Sequence, residues 1–215
     1  MAESSKRGRK GWAIGLGLAA VVVGAIVVFA LNGREGADNR AADPRPAASA
    51  ARSDLARFAT GRLARLETPA ETPAAPDYVF KTRDGADARF SDFRGRVVVV
   101  NLWAMWCAPC RTEMPTLAAL AQTYEGRDLV VLPINVDVGE DALAQARSFI
   151  DVHEPLPLYT DPKFELPFLF PGKGKMPQTI LLDRQGRVRA AYSGEADWNG
   201  PEARALIDAL LAEPA

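Results

Sequence analysis

Apolar and polar positions divide the chain into three stretches of different character. Trp12 to Leu31, WAIGLGLAAVVVGAIVVFAL, is twenty residues without a charge. As a helix it would rise about 30 Å, enough to cross a bilayer core. Residues 32–76 are rich in Ala, Pro, Arg and Glu without a sustained period, which predicts a flexible linker. Within it, Ser53 as cap and Leu55, Phe58, Leu63 and Leu66 as apolar positions predict one short helix over 53–66. From Asp77 onward a regular alternation of elements sets in. Tyr78–Lys81, a turn at Asp84-Gly85 and Arg89-Phe90 predict a hairpin. VVVVNL, Val97 to Leu102, is a continuous β-branched run suited to a strand covered on both faces. A helix follows from Cys107 to Tyr124, then a strand over Leu129–Val136 and a helix over Asp141–His153. Thr179–Leu182 and Arg187–Tyr192 predict antiparallel strands around an Asp183–Gly186 turn, and Glu202–Leu211 a closing amphipathic helix. This order predicts an α/β domain over 77–215, with a mixed sheet and helices on both faces.

Charge changes the picture at the amino terminus. Lys6, Arg7, Arg9 and Lys10 outweigh Glu3 in residues 1–11, whereas Arg34, Arg40 and Arg45 are spread among acids after the apolar run. That bias predicts a cytoplasmic basic tail, residues 1–11. The run 12–31 is longer than a secretory core, and its exit, FALNGRE, lacks a small-x-small cleavage site. An uncleaved signal anchor is the prediction: one pass through the inner membrane, with the remainder in the periplasm. The net charge of -1 gives no reason to expect nucleic acid as a partner.

Two cysteines are all the chain has, and they stand three apart in WCAPC as Cys107 and Cys110. A disulfide closing so short a loop adds little stability. A structural zinc site needs about four ligands. The one histidine, His153, is more than forty residues away and reads as a surface residue near a helix end. Neither metal nor cofactor is predicted. At a helix amino terminus Cys107 would meet unpaired N–H groups and the helix dipole, which lower a thiol's pKa. It would then attack a disulfide, and Cys110 would resolve the mixed disulfide. Ala108 and Pro109 add no positive charge between them, which argues for a reductant, and Pro109 suits the first turn.

WCAPC after a buried strand resembles the thioredoxin superfamily. The wider run VVVVNLWAMWCAPCRTEMP resembles its TlpA/ResA/CcmG-like membrane-anchored thiol–disulfide branch, from about Pro76 to the carboxyl end. The resemblance implies a thioredoxin-like fold with an amino-terminal hairpin, tether and anchor. It implies a cis bond before Pro177, with the Met176 backbone facing substrate; Trp106, beside Cys107, reads as a shield of the active-site surface that contacts substrate, and Trp103 as packed in the core or under the motif. It makes Pro115 a helix-kinking residue and Glu113 a modulator of the thiols; the alternative for Glu113 is a solvated first-turn acid. Thioredoxins carry a buried Asp where this chain has Asn101, which puts that base in doubt here. PFLFPGKGK, residues 167–175, could select a partner or simply cover a small apolar cluster. The implied clients are apocytochrome c or proteins of cytochrome oxidase copper-centre assembly, with electrons from a membrane dithiol donor of the DsbD/CcdA type. Three alternatives stand beside this reductase: a dithiol oxidase, a redox-inert tethered binding module, and a peroxiredoxin-like thiol peroxidase. The last lacks the Thr or Ser expected at Ala104.

Overall fold

The computed structural model describes residues 55–214. The predicted tail 1–11, anchor 12–31 and first part of the linker lie outside the described residues. Among the described residues no helix is long and apolar enough to cross a membrane.

A seven-stranded mixed sheet forms the centre of the domain. Strand β1 (Phe80–Thr82) and β2 (Asp87–Ala88) make the amino-terminal hairpin, turning through Gly85 at φ +83°. Strand β3 (Val97–Trp103) has every residue buried. Burial of each large side chain there contributes about 1.5–3 kcal/mol, and cover on both faces explains why its sequence does not alternate. Helix α1 (Ala108–Thr123) carries the chain to β4 (Leu129–Asn135), parallel to β3. Helix α2 (Glu140–Ile150) precedes β5 (Tyr159–Thr160), parallel to β4, and a one-turn helix α3 (Leu166–Leu169). Strand β6 (Gln178–Leu182) lies antiparallel to β3 on its other side and pairs with β7 (Val188–Ser193). Helix α4 (Pro201–Leu211) closes the domain, and the sheet order is β2-β1-β5-β4-β3-β6-β7.

Two elements escape the sequence pattern, β5 and α3. At two and four residues they are shorter than the periods that would reveal them. Pro133 stands inside β4, where a proline would ordinarily break a central strand. It is accommodated because β5 pairs only with Ile134 and Asn135.

The stretch before Asp77 is the largest departure. In place of one α-helix over 53–66 there are two 3-10 turns, Leu55–Phe58 and Gly61–Leu63. Gly61, at φ +52°, breaks the helical path between them. Composition alone assigned residues 55–76 to a flexible tether, yet they lie against the domain. Leu55, Leu63 and Leu66 are buried in its core. Glu67 exchanges two backbone hydrogen bonds with Ala191, and Val188 N–H donates to the Pro73 carbonyl. Three buried leucines supply what the Ala/Pro-rich context conceals.

Candidate active site

Everything that chemistry needs gathers where β3 ends. Trp103 pairs with Asn135 of β4, and Leu102 with Gln178, the residue after Pro177. The loop Ala104–Trp106 is held at three points. Met105 N–H donates to Asp137 Oδ2 at 2.7 Å, the Arg111 guanidinium donates to the Met105 carbonyl, and Cys107 N–H donates to the Ala104 carbonyl at 3.2 Å. Asp137 is itself buried and fixed by the Asn135 amide at 2.7 Å.

This loop delivers Cys107 to the cap position of α1, with extended backbone and Pro109 in the first turn. Its sulfur accepts the Cys110 N–H at 3.3 Å. An N-cap acceptor is the role a thiolate fills best, because the unpaired amides and the dipole favour negative charge. The two cysteines form a disulfide with Cα atoms 5.3 Å apart. Attack on a client disulfide asks for an accessible thiolate, yet in this oxidised state Cys107 is only 5% exposed, and Cys110 is fully buried. The disulfide folds Cys107 onto its partner under the cap, and the little surface that remains belongs to the residue placed to attack.

Glu113 is not the solvated acid of the alternative reading. It lies on the same helix, one turn beyond Cys110, and is 1% exposed. Asn101 Nδ2 donates to Oε1 at 2.8 Å; Ala196 N–H and Trp198 Nε1 both donate to Oε2 at 3.1 Å. Burial pushes its pKa up to about 7, against the pull of those three donors, and Glu195 nearby adds to the rise. A cavity of about 330 Å³ lined by Arg62, Thr112, Glu195 and Asp197 adjoins it. The asparagine in place of a thioredoxin-type aspartate thus donates to Glu113 and to Thr179 Oγ1.

Of the other predicted residues, Pro177 follows a cis peptide bond from Met176 and is buried, with Met176 half-buried. Trp106 is 62% exposed beside Cys107, and Trp103 is in the core against Phe149. Pro115 lies inside α1 on its exposed side. His153 Nδ1 lies 2.8 Å from the Phe149 carbonyl at the end of α2, and its ring packs at a tilt on the Phe149 ring. Sequence reading missed Asp137, Arg111, Gln178 and Trp198. A tryptophan in the polar loop GEADWNG was the available signal for the last, since a large apolar residue there needs something to pack on.

Two thiols traded for one disulfide at the carboxyl end of an inner strand of a thioredoxin-like sheet is the chemistry of the thiol–disulfide oxidoreductases, and this enzyme is one of them. Residues 72–191 match the AhpC/TSA family, and the chain belongs to that family. It is 32% identical over 120 residues to the thiol-disulfide oxidoreductase ResA of Geobacillus thermodenitrificans, covering 56% of this chain and 67% of that protein. It is 31% identical over 132 residues to the thioredoxin-like protein YneN of Bacillus subtilis, covering 58% and 72%. A solved structure from Chlorobium tepidum, provisionally assigned as the thiol:disulfide interchange protein DsbE, superposes with a TM-score of 0.59 at 28% identity, covering 66% of this chain and 98% of that one.

Proposed function

We propose that the enzyme works in the reducing direction on protein disulfides outside the cytoplasm, tethered to the inner membrane by residues 12–31. The observation that carries this reading is the asymmetric pair: Cys107 caps α1 and keeps the remaining exposure, while Cys110 is sealed with Glu113 one turn away.

The Cys107 thiolate attacks a client disulfide, forming a mixed disulfide and expelling one client thiolate, which takes up a proton. Cys110 then attacks the Cys107 sulfur. The second client thiolate leaves, and Cys107–Cys110 forms. Two electrons have passed to the client, and a dithiol donor must return them. Cys110 is sealed in the disulfide state, and we assign to Glu113, one helical turn away with its pKa pushed up to about 7 by burial, the task of taking and returning the Cys110 proton. The neutral Ala108-Pro109 pair supports a reductant. Buried Ala104 offers Cys107 a backbone carbonyl and no hydroxyl, which weighs against a peroxidatic role.

The resemblance to the TlpA/ResA/CcmG-like group supports clients in cytochrome c maturation or cytochrome oxidase copper-centre assembly, with a DsbD/CcdA-type donor. A Cys110→Ser variant should retain its client as a mixed disulfide through Cys107, and identifying that client tests the assignment. A dithiol potential near -200 mV or lower is expected; one near -120 mV would make the enzyme an oxidase.

A further inference from the structure

We propose that Trp106, Phe164, Phe168 and Leu169 form a docking ridge for an extended client segment bearing a bulky apolar side chain three or four residues from the cysteine under attack. This rests on the reading of the dithiol as a reductant of protein disulfides.

Trp106 adjoins Cys107, so any chain joined to that sulfur covers it. From there a chain of ring contacts leads away. The Trp106 and Phe164 rings meet edge-on at 6.1 Å, and Phe164 meets Phe168 edge-on at 5.5 Å. Those two steps span three to four residues of extended chain at about 3.3 Å each. At the far end Phe168 and Leu169 are 57% and 50% exposed. They open onto a groove of about 340 Å³ whose other wall includes Pro73 and Pro76. Exposed large apolar side chains grouped beside a reactive sulfur mark a contact site.

The ridge is also held rigidly. Buried Asp161 accepts the Tyr78 hydroxyl at 2.7 Å and the N–H groups of Lys163, Glu165 and Leu166 at 2.8–3.1 Å. This web sustains Phe164 at φ +56°, a left-handed conformation that a bulky residue seldom adopts. Gln178, next to Pro177, accepts Gly172 N–H and donates to the Pro167 carbonyl, tying the loop to the active-site strand. Gly174, at φ +86°, leaves room for the Phe168 ring, which a Cβ there would approach to 2.6 Å. Within the ridge's own loop, residues 162–175, Lys163, Lys173 and Lys175 are exposed against one acid, Glu165. The matching client therefore carries carboxylates beside its apolar residue.

The test uses the reduced full-length protein and two disulfide-bonded peptides, one with Phe and one with Ser at the third and fourth positions from the cysteine. Stopped-flow tryptophan fluorescence gives the exchange rates. The Phe peptide is expected to react about tenfold faster, the gain from partly burying one aromatic side chain. In Phe168→Ser and Leu169→Ser that ratio should fall toward one, while circular dichroism confirms the fold. Equal rates for the two peptides in the parent protein, or an unchanged ratio in both variants, overturn the ridge and leave the reductase reading standing. Failure of the parent to exchange even with glutathione disulfide overturns both.

Discussion

Two regions converge on the dithiol and are built on opposite principles. Beneath it, Glu113 is a charge-capable group removed from water and surrounded by donors drawn from Asn101, Ala196 and Trp198. Beside it, Trp106, on the loop held by Asp137, and Phe168 and Leu169, on a loop organised by buried Asp161, are apolar groups left in water. Glu113 and Asp161 are both buried carboxylates, but the two have different tasks. Asp161 has four donors, three of them backbone amides, and shapes the chain. Glu113 has fewer donors and deeper conflict with its surroundings, so its proton is available near neutral pH. The lesson is that reactivity and recognition sit in separate structures that meet at one sulfur, and substitutions should affect them separately.

The strongest break is Cys107→Ser, which should abolish disulfide reduction in an insulin-turbidity assay while leaving the ridge and the fold intact. Next is Glu113→Gln. The Glu113 pKa is raised from 4.5 to about 7 on folding. Folding therefore favours the protonated acid: its contribution is fully present below about 4.5 and is lost as pH rises through 7. The parent should lose on the order of 3 kcal/mol of stability between pH 4.5 and 8 from this group, measured by urea unfolding. The variant should lack that slope, and its rate profile should lack the inflection near pH 7. On the recognition side, Asp161→Asn turns an acceptor toward backbone N–H groups into a donor. It should cost about 2 kcal/mol in urea unfolding and raise KM for protein clients more than it lowers kcat. The smallest effect belongs to Lys173→Glu, a rim charge, expected to slow association with acidic clients a few-fold at low salt and negligibly at high salt.

Much of the machinery was legible in the chain, for identifiable reasons. VVVVNL announces a doubly covered strand because β-branched continuity has few other uses, and a C-x-x-C at a strand-to-helix junction leaves little room for staple or zinc. The burial of Glu113 was not legible. Its neighbours Ala196 and Trp198 lie 83 and 85 residues away, so nothing local distinguishes it from a solvated acid of the first turns. The packing of residues 55–76 was hidden for a similar reason. The turns carrying Leu55 and Leu63 pack on the closing helix α4, distant in sequence, and the spacing of Leu55, Leu63 and Leu66 fits no single helix once Gly61 turns the chain. The ridge was half visible: PFLFPGKGK suggested an apolar loop, but the contact of Phe164 with Trp106 depends on a left-handed residue that no periodicity encodes.

Strand β7 ends the sheet, and a lone outer strand is an invitation to intermolecular pairing. Here that invitation is withdrawn by the stretch before the hairpin, which occupies the ladder positions at Val188 and Ala191, while the opposite border, β2, is two residues long. A version of the enzyme trimmed to Asp77 would keep its thiols but bare this border, and the expected consequence is self-association into fibrous or amorphous assemblies at concentrations where the longer chain stays monodisperse.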